Sequence, residues 1–543
     1  MIRSISLIWT AAAAVFFSFL GASLPLAVPS AAAASSLPFQ DIGGSYAKDA
    51  IARLYQLDLI DGTGNGRFEP YRVVTRAEFT AMVDRLFRIE PVDGAIPVFA
   101  DVPRQSWAYR WVESAAQLGL VTGVSADKFG PNRAVTRQDA AVIIARAAKQ
   151  TDVSATTAYS PVYLDQAGIA GYALPSVLRL TKLGLMQGYG GSFRPAGPIT
   201  RQEAAVLLDK IVRASGWMTQ IQASPKAKVQ LGWQYGLTTA QFEKEILSSN
   251  VNTLAPRWFY LESTGIELSS GYDAALTEWA HRNGYPVWAM VGNHSDQSVT
   301  HDQLSDAKLR AAVVAELAKE AKAKGLDGLN IDFENVAPAD RAAFTAFISE
   351  LSAALRGIPA TLSVNLSPDM GTDWTAAYDY AALGRDADYI VLMGYDEHWS
   401  NDPVPGSVSS LPWLSEGLQT LLRKVPANKA ILAMPFYTRD WTVNGGAAVS
   451  SEEWSLPWQN DFVAQRSLPT LWNAESGQYT ASYWNQGKLH EIWLEDGRSL
   501  SEKMKLGEAS SIAGYAYWYM GGESPDVWVS LRNAMRYASY RFN

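Results

Sequence analysis

"AKGLDGLNIDFENVAP", residues 323–338, interleaves two kinds of residue: apolar Leu329, Ile331 and Phe333, and polar Asn330, Asp332 and Glu334. In a β-strand successive side chains point to opposite faces. The apolar trio then faces one layer and the polar trio the other. The strict alternation marks a strand with one dry face and one face lining a polar cavity. Asp327 falls off this parity and is expected lower down, in a structural role.

Seven further runs of the same kind surround it: 228–233, 251–261, 286–292, 360–368, 388–397, 429–438 and 512–520, with the present strand at 326–334. Helical patterns such as "SDAKLRAAVVAELAKEAKAKG" and "DRAAFTAFISELSAALRG" fall between them. Eight strands alternating with helices predict a TIM (β/α)8 barrel over 227–543, with an insertion at 439–511 between strands seven and eight. A doubly wound sheet is the rival, and the even spacing of eight candidates disfavours it. In a barrel the chemistry sits at the C-terminal strand ends. Asn330, Asp332 and Glu334 would climb the inner wall, with Glu334 at the rim. Carboxylates two residues apart on one strand face sit roughly 6.5–7 Å apart. Such a pair resists double ionisation, so one member keeps its proton at a raised pKa. An Asn beneath them hydrogen-bonds without adding a third charge. These residues alone leave two readings open: an acid–base enzyme, or a buried salt-bridge network.

The chain before the barrel repeats itself three times. Asp41, Asp101 and Asp165 correspond, as do Phe68, Phe129 and Phe193, and Arg76, Arg137 and Arg201. Each unit reads as helix, Gly-rich turn and helix, so this part is expected to be an all-α bundle. The second helix opens on Thr75, Thr136 or Thr200 with an acid three residues on, which is a capping box or its near relative. The caps explain the Thr and the acid but not the Arg. A cation in the first turn opposes the helix dipole. It serves either as part of an anion site at a helix N-terminus or as a structural ion pair.

At 543 residues the chain exceeds one core. Its net charge of −8 argues against a broad nucleic-acid-binding surface. Arg3, a long apolar run and "PSAAAASS" read as a secretory signal over 1–34, with an uncleaved anchor as the runner-up. No later stretch approaches the ~20 apolar residues of a membrane span. There is no cysteine, no metal-ligand spacing among the five His, and no phosphate or dinucleotide motif, so no metal or cofactor is expected. Residues 217–226 read as a linker implying loose coupling. His398 reads as structural, Trp399 and Trp258 as weak stacking candidates near strand ends, and Glu495 and Asp496 as surface charge.

Two resemblances follow from these motifs. The units at 35–95, 96–155 and 156–216 resemble S-layer homology domains, a family that holds proteins to Gram-positive-type cell walls through an anionic secondary wall polysaccharide. The likeness implies ligand contacts for Arg76, Arg137 and Arg201, and for the aromatic heading the first helix: Trp107 in the second repeat, Tyr46 and Tyr172 in the others. The pattern D-G-x-x-x-D-x-E at 327–334, "MGYD" at 393–396 and "YAYWYM" at 515–520 resemble glycoside hydrolase family 18. That likeness implies substrate-assisted retaining cleavage beside a 2-acetamido sugar. Glu334 would be the acid, Asp332 the partner of the acetamido N–H, and Tyr395 the donor to its carbonyl. Asn330, Met393 and Asp396 would line the site and Trp518 its floor. Asn330 departs from the usual carboxylate. With "EIWLEDGRSLSEKM" at 491–504 it makes the chain look like the spore-cortex and cell-wall N-acetylglucosaminidases. The expected partner is therefore peptidoglycan, at the cell surface. Alternatives are a surface chitinase and a non-catalytic glycan-binding protein of the S-layer.

Overall fold

The computed structural model describes residues 37–151 and 162–542. The signal expected at 1–34 lies outside them. Three helix pairs come first: Lys48–Gln56 with Arg76–Leu86, Tyr109–Gln117 with Arg137–Ala147, and Leu174–Lys182 with Arg201–Arg213. Thr75, Thr136 and Thr200 cap the second helices, each accepting from the backbone N–H three residues on. The repeated Asp closes each Gly-rich turn. Asp41 accepts from the N–H groups of Phe68 and Glu69, Asp101 from Phe129 and Gly130, and Asp165 from Phe193 and Arg194.

The repeated Arg closes the bundle into a ring. Arg76 of the first unit donates to the carbonyls of Phe129 and Thr122 in the second, at 3.0 and 2.8 Å. Arg137 reaches Phe193 and Gln187 in the third, and Arg201 returns to Phe68 and Asp61 in the first. Each guanidinium also lies over the Phe ring whose carbonyl it holds, 4.3–5.0 Å from the centroid. Charge-assisted bonds to carbonyls that would otherwise be orphaned explain a cation in the first helical turn.

The barrel follows. Its strands are Val229–Gln234, Thr253–Glu262, Trp288–Gly292, Gly328–Asp332, Thr361–Leu366, Tyr389–Met393, Ala430–Pro435 and Gly514–Trp518. All neighbours pair in parallel, and the first strand pairs with both the second and the eighth, closing the cylinder. Leu329, Ile331 and Phe333 pack outward into the helix layer. Leu231, Trp233, Ala255, Met290, Val391 and Ala516 fill the interior. Between the seventh and eighth strands stands a five-stranded antiparallel sheet, built from Tyr437–Asn444, Ala447–Ser455, Leu471–Asn473, Gln478–Asn485 and Lys488–Leu494.

Three expectations need correcting. Glu495 and Asp496 are not surface charge. Glu495 is fully buried and held by Lys503 at 2.8 and 2.9 Å and by Gln478 and Ser499, while Asp496 caps the helix Gly497–Ala509. Glu495 thus pins the small sheet, through Gln478, to the helix that carries Lys503. Trp258 faces the helix layer at 1 % exposure and cannot stack on a sugar. The coupling between repeats and barrel is not loose. Trp217–Gln222 is a helix, and Trp217 packs 4.9 Å from Phe542. Glu90 pairs with Arg532, and its backbone N–H donates to the Asn533 side chain, whose amide donates back to the Glu90 carbonyl. Tyr537 and Tyr540 donate to the carbonyls of Arg146 and Phe87, and Gln150 donates to that of Phe542. The final helix, Val527–Ser539, and the tail behind it are wedged against all this.

Two outcomes are expected. Arg201→Ala should lower the unfolding free energy by about 1–3 kcal/mol, since the buried Phe68 carbonyl and the part-buried Asp61 bond lose their donor, measured by denaturant titration. Glu113, buried between the second repeat and the barrel with one oxygen unpartnered, has its pKa pushed to about 8 by burial, opposed by the Val98 N–H and raised further by Asp496 and Asp526. A carboxyl raised in the folded state stabilises below its unfolded pKa, and that stability is lost as pH rises through its folded value. Melting temperature should fall from about pH 5 to pH 8, and Glu113→Gln should flatten the slope.

Candidate active site

The polar trio enters the barrel mouth from the fourth strand. Asn330 is fully buried at its foot. Its carbonyl accepts from Trp233 Nε1 at 2.8 Å, and its amide donates to Ser363 Oγ and to Asn365 Oδ1. Asn365 in turn donates to Asp332 Oδ1 at 3.0 Å. A neutral chain thus runs from the indole to the carboxylate and adds no charge beneath it. Burial raises the Asp332 pKa, with Asn365 and the charge of Arg257 opposing.

Glu334 lies just past the strand end, where the wall opens. Its backbone is clamped by Asn293, whose side chain accepts from the Glu334 N–H and donates to its carbonyl. Ser295 donates to Oε2 at 3.1 Å. Burial first, and the Asp332 charge second, push the Glu334 pKa up to about 7, while the Ser295 bond holds it back. The carboxyl is therefore poised to give up or take back a proton near neutral pH.

Tyr395 and Asp396 arrive from the end of the sixth strand. Tyr395 is buried with its phenol well above its usual pKa, through burial and the Asp332, Asp396 and Glu334 charges, so it stays a proton donor. Asp396 sits at φ 62°, a left-handed conformation uncommon outside Gly and Asn, and Tyr437 from the small sheet donates to it at 2.6 Å. Met393 packs against the inner wall behind them. Trp518 ends the eighth strand, lies nearly parallel to Tyr395 with ring centroids 6.4 Å apart, and meets Tyr235 at 5.3 Å. One partly exposed indole face beside two carboxyls and a phenol makes a platform for a sugar ring.

The structure thus brings Asn330, Asp332, Glu334, Met393, Tyr395, Asp396 and Trp518 to one end of the barrel. Arg76, Arg137, Arg201 and Trp107 lie together in the repeat bundle. Trp399 is half exposed in the loop after the sixth strand, where His398 pairs with Asp402 at 2.9 Å. Asp327 pairs with His281 on the barrel's other end. The reading of the strands missed Asn293, Ser295, Asn365, Tyr437 and Arg257. Inward parity in "TLSVNL" marks Asn365; nothing local marks Asn293, whose role depends on a neighbouring strand.

In the repeat bundle, Tyr46, Trp107 and Tyr172 are 61–69 % exposed. A groove of about 440 Å³ lies between units, lined by Tyr46, Arg137, Tyr189, Arg194, Glu203 and Lys210. It presents cations beside aromatic rings.

Three matches to the S-layer homology domain cover residues 38–80, 98–141 and 162–205, and the model for glycosyl hydrolases family 18 matches 237–523. The chain is 30% identical over 323 residues to the uncharacterized glycosylase YvbX of Bacillus subtilis, covering 57% of this chain and 92% of that protein. It is 27% identical over 237 residues to the cortical fragment-lytic enzyme of the same organism, covering 42% of this chain and 54% of that enzyme. The fold is shared with a chitinase from Chromobacterium violaceum at a TM-score of 0.53 and 24% identity, over 57% of this chain and 99% of that one. The chain is a glycoside hydrolase that carries three S-layer homology domains, and it belongs to glycosyl hydrolases family 18.

Proposed function

We propose that the protein cleaves β-1,4 bonds next to N-acetylglucosamine in peptidoglycan, with retention, by substrate-assisted catalysis at the cell surface. The observation that carries this is Glu334: a carboxyl near pKa 7, at the mouth, beside a second acid and over an aromatic floor. In this reading Glu334 protonates the glycosidic oxygen and later activates water. The sugar's own acetamido oxygen attacks the anomeric carbon. Asp332 accepts the acetamido N–H as the ring closes, and Tyr395 donates to the acetamido oxygen. Trp518 carries the ring, with Asn330, Met393 and Asp396 completing the walls. The likeness to the cortical fragment-lytic enzyme and the S-layer homology domains favour a wall substrate. The repeats would hold an anionic wall polysaccharide in grooves that join Tyr46, Trp107 or Tyr172 to Arg76, Arg137 and Arg201. Three weak sites on one polymer give avidity.

Digestion of purified peptidoglycan, with mass spectrometry of the new reducing ends, tests the reading. The wild type should expose N-acetylglucosamine ends, and Glu334→Gln should lose about 10²–10⁴ in rate. Release from chitin oligomers alone would favour the chitinase reading, and release from neither a glycan-binding protein.

The proton donor works only while protonated. Glu334 is raised, so kcat/KM should hold below about pH 7 and fall about tenfold per unit above it, as a pH–rate profile would show. In the anchor, Tyr46→Ala, Trp107→Ala and Tyr172→Ala together should cut cosedimentation with wall fragments at least about tenfold without lowering the melting temperature, since all three rings are exposed.

A further inference from the structure

Arg257 is the residue in the barrel mouth that the mechanism leaves unused. It comes from the second strand, on the inward parity set by Ala255. Its guanidinium lies 5.1 Å from the Tyr235 ring and 5.9 Å from those of Tyr260 and Trp518. Its Nε is buried and has no hydrogen-bond partner. Among the described residues no carboxylate lies within ion-pairing distance of it. The other arginine of the mouth, Arg439, has Glu453 at 3.5 Å.

This placement has a cost that calls for a ligand. Positive charge develops on the sugar above Trp518 as the glycosidic bond breaks. A fixed cation beside that floor opposes it, because charge stabilisation in a dry site depends on groups of the opposite sign. Its buried Nε, left without an acceptor, is also costly. Both costs are offset when the substrate itself brings a carboxylate. The guanidinium fork suits that shape and can bind it bidentately.

We infer that Arg257 is a specificity residue that binds a carboxylate of the substrate on the Trp518 side of the cut, namely the free lactyl carboxylate of the muramic acid next to the N-acetylglucosamine on Trp518, its stem peptide having been removed. The inference rests on the peptidoglycan reading. Of the two sugars in that polymer only muramic acid carries an acid, and the acid is masked as an amide wherever a stem peptide is attached. The preferred substrate is thus a peptide-free strand. An amide hydrolysis, in which water splits the lactyl–peptide bond into a carboxylate and a peptide amine, must supply it.

The test compares kcat/KM on three substrates: peptide-free glycan strands, strands with intact stem peptides, and neutral chitin oligomers. In the wild type the peptide-free strands should be favoured. Arg257→Gln should reduce the ratio of peptide-free strands to chitin oligomers by about ten- to a hundredfold, the value of one charge-assisted contact. The loss should fall mainly in KM, and Arg257→Lys should restore part of it. Equal losses on both substrates would overturn the inference and leave Arg257 as an electrostatic neighbour of Asp332 and Glu334. A larger loss on intact strands would overturn the lactyl assignment in favour of a stem-peptide carboxylate. A wild type that cuts chitin oligomers but no peptidoglycan strand overturns the substrate reading and the inference with it. Calorimetric binding of peptide-free strands to Glu334→Gln, with and without Arg257→Gln, gives the same comparison without turnover. Unchanged affinity there would also count against the contact.

Discussion

Three carboxyls, Asp332, Glu334 and Asp396, share a barrel mouth too dry to ionise them all. Each is raised, and in each case burial is the first cause. The crowding is stable because every acid has a specific neutral donor: Asn365 on Asp332, Ser295 on Glu334 and Tyr437 on Asp396. Neutral donors partly stabilise the charged form without quenching it as a lysine would. A full ion pair on Glu334 would have pulled its pKa down and left it ionised near neutral pH. Asn330 belongs to the same logic. It links Trp233 to Asn365, which donates to Asp332, with no fourth negative charge.

The architecture around the mouth serves that balance. The eight strands supply the precise part: Asp332, Tyr395 and Trp518 sit at or just beyond strand ends whose backbones are locked by parallel pairing on both sides. The small antiparallel sheet supplies Tyr437 and the Arg439–Glu453 pair. Its own position is fixed by the buried Glu495–Lys503 bridge, both members of which are no more than 1% exposed at the side chain. Losing one partner of such a pair leaves a bare buried charge. The disturbance would then reach Asp396 through Tyr437.

Much of this was legible in the sequence, for a physical reason. Strand parity is a local property, so "LDGLNIDFE" discloses which side chains face inward. Capping boxes are local too, so Thr75 and Thr200 disclose helix starts. What stayed hidden depends on partners on other elements. The burial of Glu495 follows from Lys503 and Gln478 lying on other elements. The wedge of Trp217 against Phe542 joins residues 325 apart, so nothing near 217–226 distinguishes a packed helix from a linker. The repeated arginines show both sides at once. Their recurrence pointed to a shared role, but the carbonyls they hold belong to the next repeat.

Those arginines also bear on how the repeats and the barrel form one body. Arg76 and Arg201 spend Nε and one terminal nitrogen on the ring, so a bound anion would meet only what remains of the guanidinium, together with exposed Tyr46, Trp107 and Tyr172. Recognition would then rest on the closed ring itself, because the cation is held at the groove by the bonds that shape it. The same bundle is wedged against the last helix of the barrel through Glu90, Phe87 and Gln150. A flexible linker would let the barrel mouth sample many directions relative to the repeats. A packed interface fixes one direction, so the orientation of the repeats sets that of the mouth.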